Sequence, residues 1–239
     1  MRRPIVLAIP TLNEEASIGP LLGAVPRDVV DQIIVADGGS TDATIALARA
    51  AGATVIEAGR GYGRACLKAS EAAPGDAIMV FMDGDGADDP AMIAALVAPI
   101  QAGAQDFVIG SRVTGTREPG SMGWHQVSAG IAAGLAMRAL YAVRYTDMCA
   151  FRAIGRDMLF GLAMQEMTYG WNLEMQMKVA RNRLRVLEIP VPNRCRTGGK
   201  SKVAGSVRGT LRAGSRIVAT FVRVARERET ALSPQEAKS

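Results

Sequence analysis

Residues Ile78 to Met82 form an unbroken apolar run that stops abruptly at Asp83-Gly84-Asp85-Gly86-Ala87-Asp88-Asp89. A run of that length suits a strand buried on both faces. On extended backbone, residues i and i+2 point the same way, so Asp83 and Asp85 share one face at the strand's C-terminal end. Gly84 and Gly86 let the chain turn sharply and approach a ligand closely. In open α/β sheets the ligand crevice lies at the carboxyl ends of the strands. Two carboxylates this close repel each other unless a cation sits between them, and all-oxygen ligation suits Mg²⁺ or Mn²⁺. Asp83 and Asp85 are therefore read as a metal and diphosphate site. For Asp88 and Asp89 the ordinary reading is preferred, a solvated acidic turn in which one of them caps the helix ahead of Pro90.

The flanking sequence repeats a strand–helix alternation. Strands are expected at Pro4 to Ile9, Ile33 to Ala36, Thr54 to Ile56, Phe107 to Ile109 and Leu184 to Val191. Helices are expected around Ile18 to Val25, Ile45 to Ala48 (capped by Thr41 or Asp42), Leu67, Pro90 to Gln101, His125 to Leu140 and Trp171 to Asn182. Units of this kind predict an α/β fold with a mostly parallel, doubly wound sheet and helices on both faces. A chain of 239 residues, 49% apolar and only 5% aromatic, is large enough for one such domain with a full core. The expected division is a domain over 1–202, a basic amphipathic helical extension over 203–228 and a flexible tail over 229–239. In the extension Val203, Val207, Leu211, Val218 and Val222 lie near one stripe, with Arg208, Arg212, Arg216 and Arg223 largely on other faces.

Charge is unevenly placed. Residues 1–180 carry 14 Lys and Arg against 19 Asp and Glu, whereas residues 181–228 carry 13 against 2. A basic C-terminal quarter on a slightly acidic domain points to an anionic partner. Few aromatics are present there for base stacking, which argues against nucleic acid. Cys66, Cys149 and Cys195 form no close pair, which fits a reducing compartment. The single histidine, His125, excludes a site built on several imidazoles. The best candidate span, Val127 to Met137, is 11 residues long before Arg138 interrupts it, too short to cross a bilayer. No signal peptide is visible. These features predict a cytoplasmic protein, either free or peripheral on the cytoplasmic membrane face.

Three acidic or glycine-bearing turns fall at successive strand ends: Asn13-Glu14, Asp37 to Asp42, and Asp83 to Asp85. With them the chain resembles the family 2 glycosyltransferases of the GT-A fold, and within these the polyprenyl-phosphate sugar synthases. The resemblance covers about residues 4–215. Pro10-x-x-Asn13-Glu14 resembles the family's first-strand motif, and Asp37-Gly-Gly-Ser-Thr-Asp42 its second, with Gly38 where a second Asp is usual. It implies Asp37 on the nucleobase, Glu14 near the nucleoside, and Asp83-Gly84-Asp85 on metal and diphosphate; Ala87 stands where the mannose synthases often carry a polar side chain. Gly110-Ser-Arg112 resembles an element near the donor, and Arg60-Gly61 in a glycine-rich loop can reach a diphosphate. Thr146-Asp147-Met-Cys-Ala-Phe151-Arg152 is similar to the family's Asp-x-x-x-x-Phe-Arg stretch, and Tyr169-Gly170-Trp171-Asn-Leu-Glu174-Met175 to its helix carrying a Met-Glu-Met run. Arg196-Thr-Gly-Gly-Lys200-Ser201-Lys202 resembles the Arg-x-x-Gly-x-Ser-Lys segment of the polyprenyl-phosphate synthases. Arg196, Lys200 and Lys202 offer charge-assisted contacts to phosphate oxygens, so this segment and Arg152 are read as the acceptor side.

The chemistry implied is inverting transfer of a sugar from a nucleotide diphosphate, UDP by resemblance, to a polyprenyl phosphate or another anionic or lipid-linked acceptor. A cation on Asp85 would neutralise the leaving group. A phosphate acceptor, mostly dianionic near neutrality, attacks unaided; a hydroxyl acceptor would need a base, with Asp147 and Glu174 as candidates. The rivals are a soluble phosphorylated acceptor, a sugar-nucleotide pyrophosphorylase, and a non-catalytic scaffold. A pyrophosphorylase should carry a glycine-rich loop where this chain has Pro10 to Glu14. A scaffold should have lost Asp83 or Asp85.

Overall fold

Strands β1 (Ile5–Thr11), β2 (Gln32–Asp37), β3 (Thr54–Glu57) and β4 (Ile78–Phe81) alternate with helices α1 (Glu15–Gly23), α2 (Thr44–Ala50) and α3 (Tyr62–Ala72). A 3-10 turn, Pro90–Met92, leads into α4 (Ile93–Gln101). Then follow β5 (Phe107–Ser111), α5 (Trp124–Tyr141), β6 (Arg152–Gly155), α6 (Arg156–Gly161), α7 (Trp171–Arg181), β7 (Val186–Pro190) and α8 (Val207–Arg226). This is a computed structural model, and it describes residues 2–197 and 207–227. The proposed boundaries at 202/203 and 228/229 fall outside the described residues. None of the described helices is long and apolar enough to cross a membrane.

The strands form one seven-stranded sheet in the order β3-β2-β1-β4-β6-β5-β7. Every neighbouring pair is parallel except the two that β6 makes with β4 and β5. Ile5 to Ile9 and Ile78 to Met82 are each at most 2% exposed. Consecutive side chains on a strand point to opposite faces, so full burial of both runs means that both faces of the sheet are covered. The mostly parallel, doubly wound sheet is therefore as the sequence predicts.

The antiparallel β6 and the short α6 were not legible. Arg152-Ala-Ile-Gly155 begins on a cation and ends on a glycine, which hides a strand that is nonetheless buried throughout. The Arg152 guanidinium is accommodated at zero exposure because it donates to the carbonyls of Cys149 and Asn172 and stacks over the Phe107 ring. Ahead of α4, Asp89 accepts from the Ala91 N–H at 3.2 Å, as a cap before Pro90 should. At the start of α2, Asp42 takes the N–H and hydroxyl of Thr44, at 3.0 and 2.5 Å, one residue outside the cap position itself.

Candidate functional site

Chain order reverses at β1, with β2 and β3 running to one side and β4 to the other, which is where an open α/β sheet leaves a crevice. Such a crevice is present, with a volume of about 500 Å³. Pro10, Leu12 and Glu14 line it from the end of β1, Gly38 from the end of β2, and Asp83, Gly84 and Asp85 from the end of β4. Arg60, Gly61 and Tyr62 at the start of α3, Thr168 and Tyr169 before α7, Arg196 and Arg216 complete the wall.

The loops at the strand ends are tied to each other. Asn13, at φ 52°, donates its N–H to the Ser40 hydroxyl and accepts from the Thr41 N–H, both at 2.8 Å; asparagine tolerates that left-handed backbone better than most residues. The Glu14 N–H reaches the Thr44 hydroxyl at 2.7 Å, and the Ser17 hydroxyl donates to the Gly84 carbonyl at 2.7 Å. Asp37 is 1% exposed and accepts from the N–H groups of Gly39 and Ser40 and the hydroxyls of Ser40 and Thr11. Those four donors occupy its carboxylate, so Asp37 shapes its own turn while Gly38 forms the wall. Its implied place on a nucleobase has no free oxygen behind it.

Asp83, Asp85 and Asp88 crowd together at the end of β4. Burial, then the charge of Asp85, pushes the Asp83 carboxyl up to about 6. Burial, then the charge of Asp83, pushes Asp88 up to about 7. Asp88 is only 5% exposed and does not line the crevice, which corrects the solvated-turn reading. Asp83 Oδ1 is buried and has no hydrogen-bond partner among the described residues. Asp85 accepts from the Ala87 N–H at 3.0 Å and meets the Arg196 guanidinium at 2.8 Å. The basic segment runs along this turn: the Arg194 N–H donates to the Ala87 carbonyl and the Thr197 N–H to that of Asp85. Lys200, Ser201 and Lys202, its continuation, lie outside the described residues.

Arg112 faces this cluster and is held from behind. Its N–H, Nε and one terminal nitrogen donate to the Asp147 carboxylate at 3.0, 2.8 and 2.8 Å. Burial would raise Asp147, but the Arg112 hydrogen bonds outweigh it and keep the carboxyl below its ordinary value. Asp147 is therefore a clamp for Arg112 rather than a proton acceptor. Glu188 on β7 accepts the Thr146 N–H and hydroxyl and so fixes the turn that carries Asp147.

Two further expectations are corrected. Glu174 is fully buried, and Lys178 at 3.0 Å and Arg223 at 2.9 Å pair with it. Burial raises it, but the Glu166 N–H and these two cations hold its carboxyl below the usual range, and it does not line the crevice. Arg152, read as an acceptor-phosphate contact, is fully buried, and its guanidinium donates to the backbone carbonyls of Cys149 and Asn172. Arg60 and Gly61 do line the crevice. The glycine-rich loop has a second reason: a Cβ at Gly63 would collide with the Glu166 carbonyl and meet the Trp171 ring at 2.9 Å. Glycine lets α3 lie directly on the loop that precedes α7. Tyr62, Thr168, Tyr169 and Arg216 were missed. For Arg216 the signal was its departure from the apolar stripe of its helix, for Tyr62 its place in the glycine-rich loop, and for Tyr169 its place in the stretch that resembles the family's Met-Glu-Met helix; nothing marked Thr168.

The family model for glycosyl transferase family 2 matches residues 6–160. The chain belongs to that family. This family 2 chain is 33% identical to an uncharacterized glycosyltransferase of Mycobacterium tuberculosis, over 87% of this chain and 93% of that one. It is 30% identical to the undecaprenyl-phosphate mannosyltransferase of Micrococcus luteus, over 86% and 89% of the two chains. Among solved structures it resembles glucosyl-3-phosphoglycerate synthase of Mycobacterium tuberculosis in complex with phosphoglyceric acid. There the TM-score is 0.74 at 25% identity, covering 93% of this chain and 80% of that one. The same synthase has also been solved with Mn²⁺, UDP and glucosyl-3-phosphoglycerate. A glycosyltransferase of the GT-A fold is thus established, and a pyrophosphorylase is set aside.

Proposed function

We propose that this glycosyltransferase moves a sugar, with inversion, from a UDP-sugar to a phosphate-bearing acceptor, a polyprenyl phosphate first among them, using Mn²⁺ or Mg²⁺. The observation that carries the reading is the buried Asp83 oxygen, without a hydrogen-bond partner among the described residues, beside Asp85 in the crevice. Among the described residues no group of three or more His, Cys, Asp or Glu is placed to hold a metal alone. Asp83 and Asp85 would therefore share a hard cation with the donor's diphosphate oxygens, the usual mode for Mg²⁺. Bound there, the cation would offset the negative charge that develops on the leaving diphosphate.

The chain's own residues do the rest. The β1 and β2 turns, with Glu14 and Gly38, would receive the nucleoside, and Arg60 and Arg196 would face phosphate oxygens. Arg112, locked by Asp147, adds fixed positive charge behind Asp83. Asp147 and Glu174 are both paired and below their ordinary values, so neither is available to deprotonate a hydroxyl. That favours an acceptor needing no base, a phosphate dianion. The mannosyltransferase relative supports a polyprenyl carrier, and the synthase with phosphoglyceric acid supports the second reading, a soluble phosphorylated acceptor. With a lipid acceptor, exposed Val218 and Val222 on α8 and Ile131 and Leu135 on α5 would rest on a membrane surface.

Calorimetric titration of UDP and GDP, with Mn²⁺ and then with EDTA, tests the donor. Metal-dependent binding of UDP alone is expected; metal-independent binding would mean that Asp83 and Asp85 hold no cation for the diphosphate. Product formation from a UDP-sugar with polyprenyl phosphate, set against 3-phosphoglycerate, then decides the acceptor.

A further inference from the structure

The C-terminal helix carries a guanidinium into the crevice. Arg216 lines it together with Thr168 and Tyr169, is exposed, and makes no ion pair among the described residues. Arg196, by contrast, is committed to Asp85 at 2.8 Å.

The position of Arg216 is set one turn further along α8. Thr220 is 2% exposed, and its hydroxyl donates to Glu166 at 3.1 Å. Gly170 makes room for this contact, because a Cβ there would collide with the Thr220 hydroxyl. Another turn on, Arg223 pairs with the buried Glu174 and Val224 is fully buried. Residues at i and i+4 share a helix face. Arg216 therefore extends the docked face of α8 past the end of α7 and over the crevice. A cation held on an anchored helix, with no ion pair among the described residues and in the same crevice as Asp83 and Asp85, suits a phosphate, which a guanidinium binds through paired N–H donors.

We infer that Arg216 is a phosphate-binding residue of the substrate site, and that the docking of α8 on α7 completes that site. The inference rests on the donor reading above, and its test separates the two. The phosphate is either the donor's diphosphate or the acceptor's monoester. Calorimetry would compare wild type, Arg216→Gln and Arg216→Lys, with UDP and Mn²⁺, with uridine as the uncharged control, and with a short-chain polyprenyl phosphate added to the UDP–Mn²⁺ complex. If the donor diphosphate is the partner, Arg216→Gln weakens UDP about tenfold and leaves uridine alone, the loss of one charge-assisted contact. If the acceptor is the partner, UDP is unchanged and the polyprenyl phosphate weakens about tenfold. Arg216→Lys should recover part of either loss, keeping the charge without the planar fork. Unchanged binding of both phosphates in Arg216→Gln overturns the inference while wild-type UDP binding keeps the donor reading. An equal loss for uridine also overturns it, as an effect on packing. Failure of wild type to bind either phosphate overturns both.

Discussion

At the end of β4, Asp85 and Asp88 are buried beside a half-buried Asp83 whose Oδ1 is itself enclosed. Along the seam between α7 and α8, Glu174, Lys178 and Arg181 are buried beside Arg223 and Glu227. In the seam Glu174 and Glu227 have their cations: Lys178 and Arg223 on Glu174, at 3.0 and 2.9 Å, and Arg181 and Arg223 on Glu227, at 3.1 and 2.6 Å. On the crevice floor Arg112 is taken by Asp147, Arg196 pairs with Asp85, and one Asp83 oxygen has no hydrogen-bond partner among the described residues. Burial of charge alone does not mark a site. What distinguishes the two regions is whether the fold itself completes the neutralisation or leaves it to something that binds. The seam holds helices together, whereas on the floor the proposed cation would complete the neutralisation.

The largest expected effect is on the floor. Asp85→Asn should cut turnover about 10³-fold, roughly 4 kcal/mol of lost charge stabilisation in the transition state, with the unfolding midpoint little changed. UDP released from a UDP-sugar in the presence of polyprenyl phosphate is the readout. Activity within a few-fold of wild type would remove the metal from Asp85.

In the seam the same chemical change should act on stability instead. Glu174→Gln leaves Lys178 and Arg223 without their carboxylate, and removing one partner of a buried pair costs about 3 kcal/mol, measured by urea unfolding. The pH dependence has a definite sign. The Glu174 carboxyl lies below its ordinary value in the folded protein. Its stabilisation is therefore complete above the unfolded value of about 4.3 and disappears as pH falls through the folded value. The stability gap between wild type and Glu174→Gln should stay level from neutral pH down to about 5 and close below about 4. A gap that widened in acid would mean that the pairing geometry is wrong.

Sequence reading reached the sheet and the floor because both are written locally. An apolar run ending in Asp83-Gly-Asp85 announces strand, turn and site at once. It failed where meaning depends on a distant partner. Glu174 reads as a base candidate because its helix resembles the family's Met-Glu-Met run. Its real company, Arg223, is 49 residues away on α8. Arg152 reads as an acceptor contact because it ends the stretch that resembles the family's Phe-Arg motif, whereas the carbonyls of Cys149 and Asn172 and the Phe107 ring account for its burial. Asp88 reads as one more surface aspartate until Asn193 bridges to it from the far end of the chain.

The contact between α3 and the loop before α7 links the two regions. Gly63→Ala should destabilise by about 2 kcal/mol, because overpacking against the Glu166 carbonyl and Trp171 outweighs the gain of about 1 kcal/mol that alanine offers within a helix. It should also weaken UDP binding, since Arg60, Gly61 and Tyr62 line the crevice from the same turn. A stabilised variant would show that the layers are not in contact.

The smallest effect carries the opposite sign. Asp83→Asn removes a charge that burial and Asp85 both disfavour, so in the metal-free protein stability should hold or rise, by about 1 kcal/mol at most. The contrast with Glu174→Gln is the sharpest form of the comparison: the same exchange of carboxylate for amide strengthens one buried cluster and breaks the other. In wild type, Mn²⁺ with UDP should raise the thermal midpoint, and EDTA should reverse the rise, because a ligand that binds only the folded state stabilises it by mass action. Asp83→Asn should show little of that rise. If it lost stability without metal, as Glu174→Gln does, Asp83 would be a neutralised structural residue and the floor a second seam.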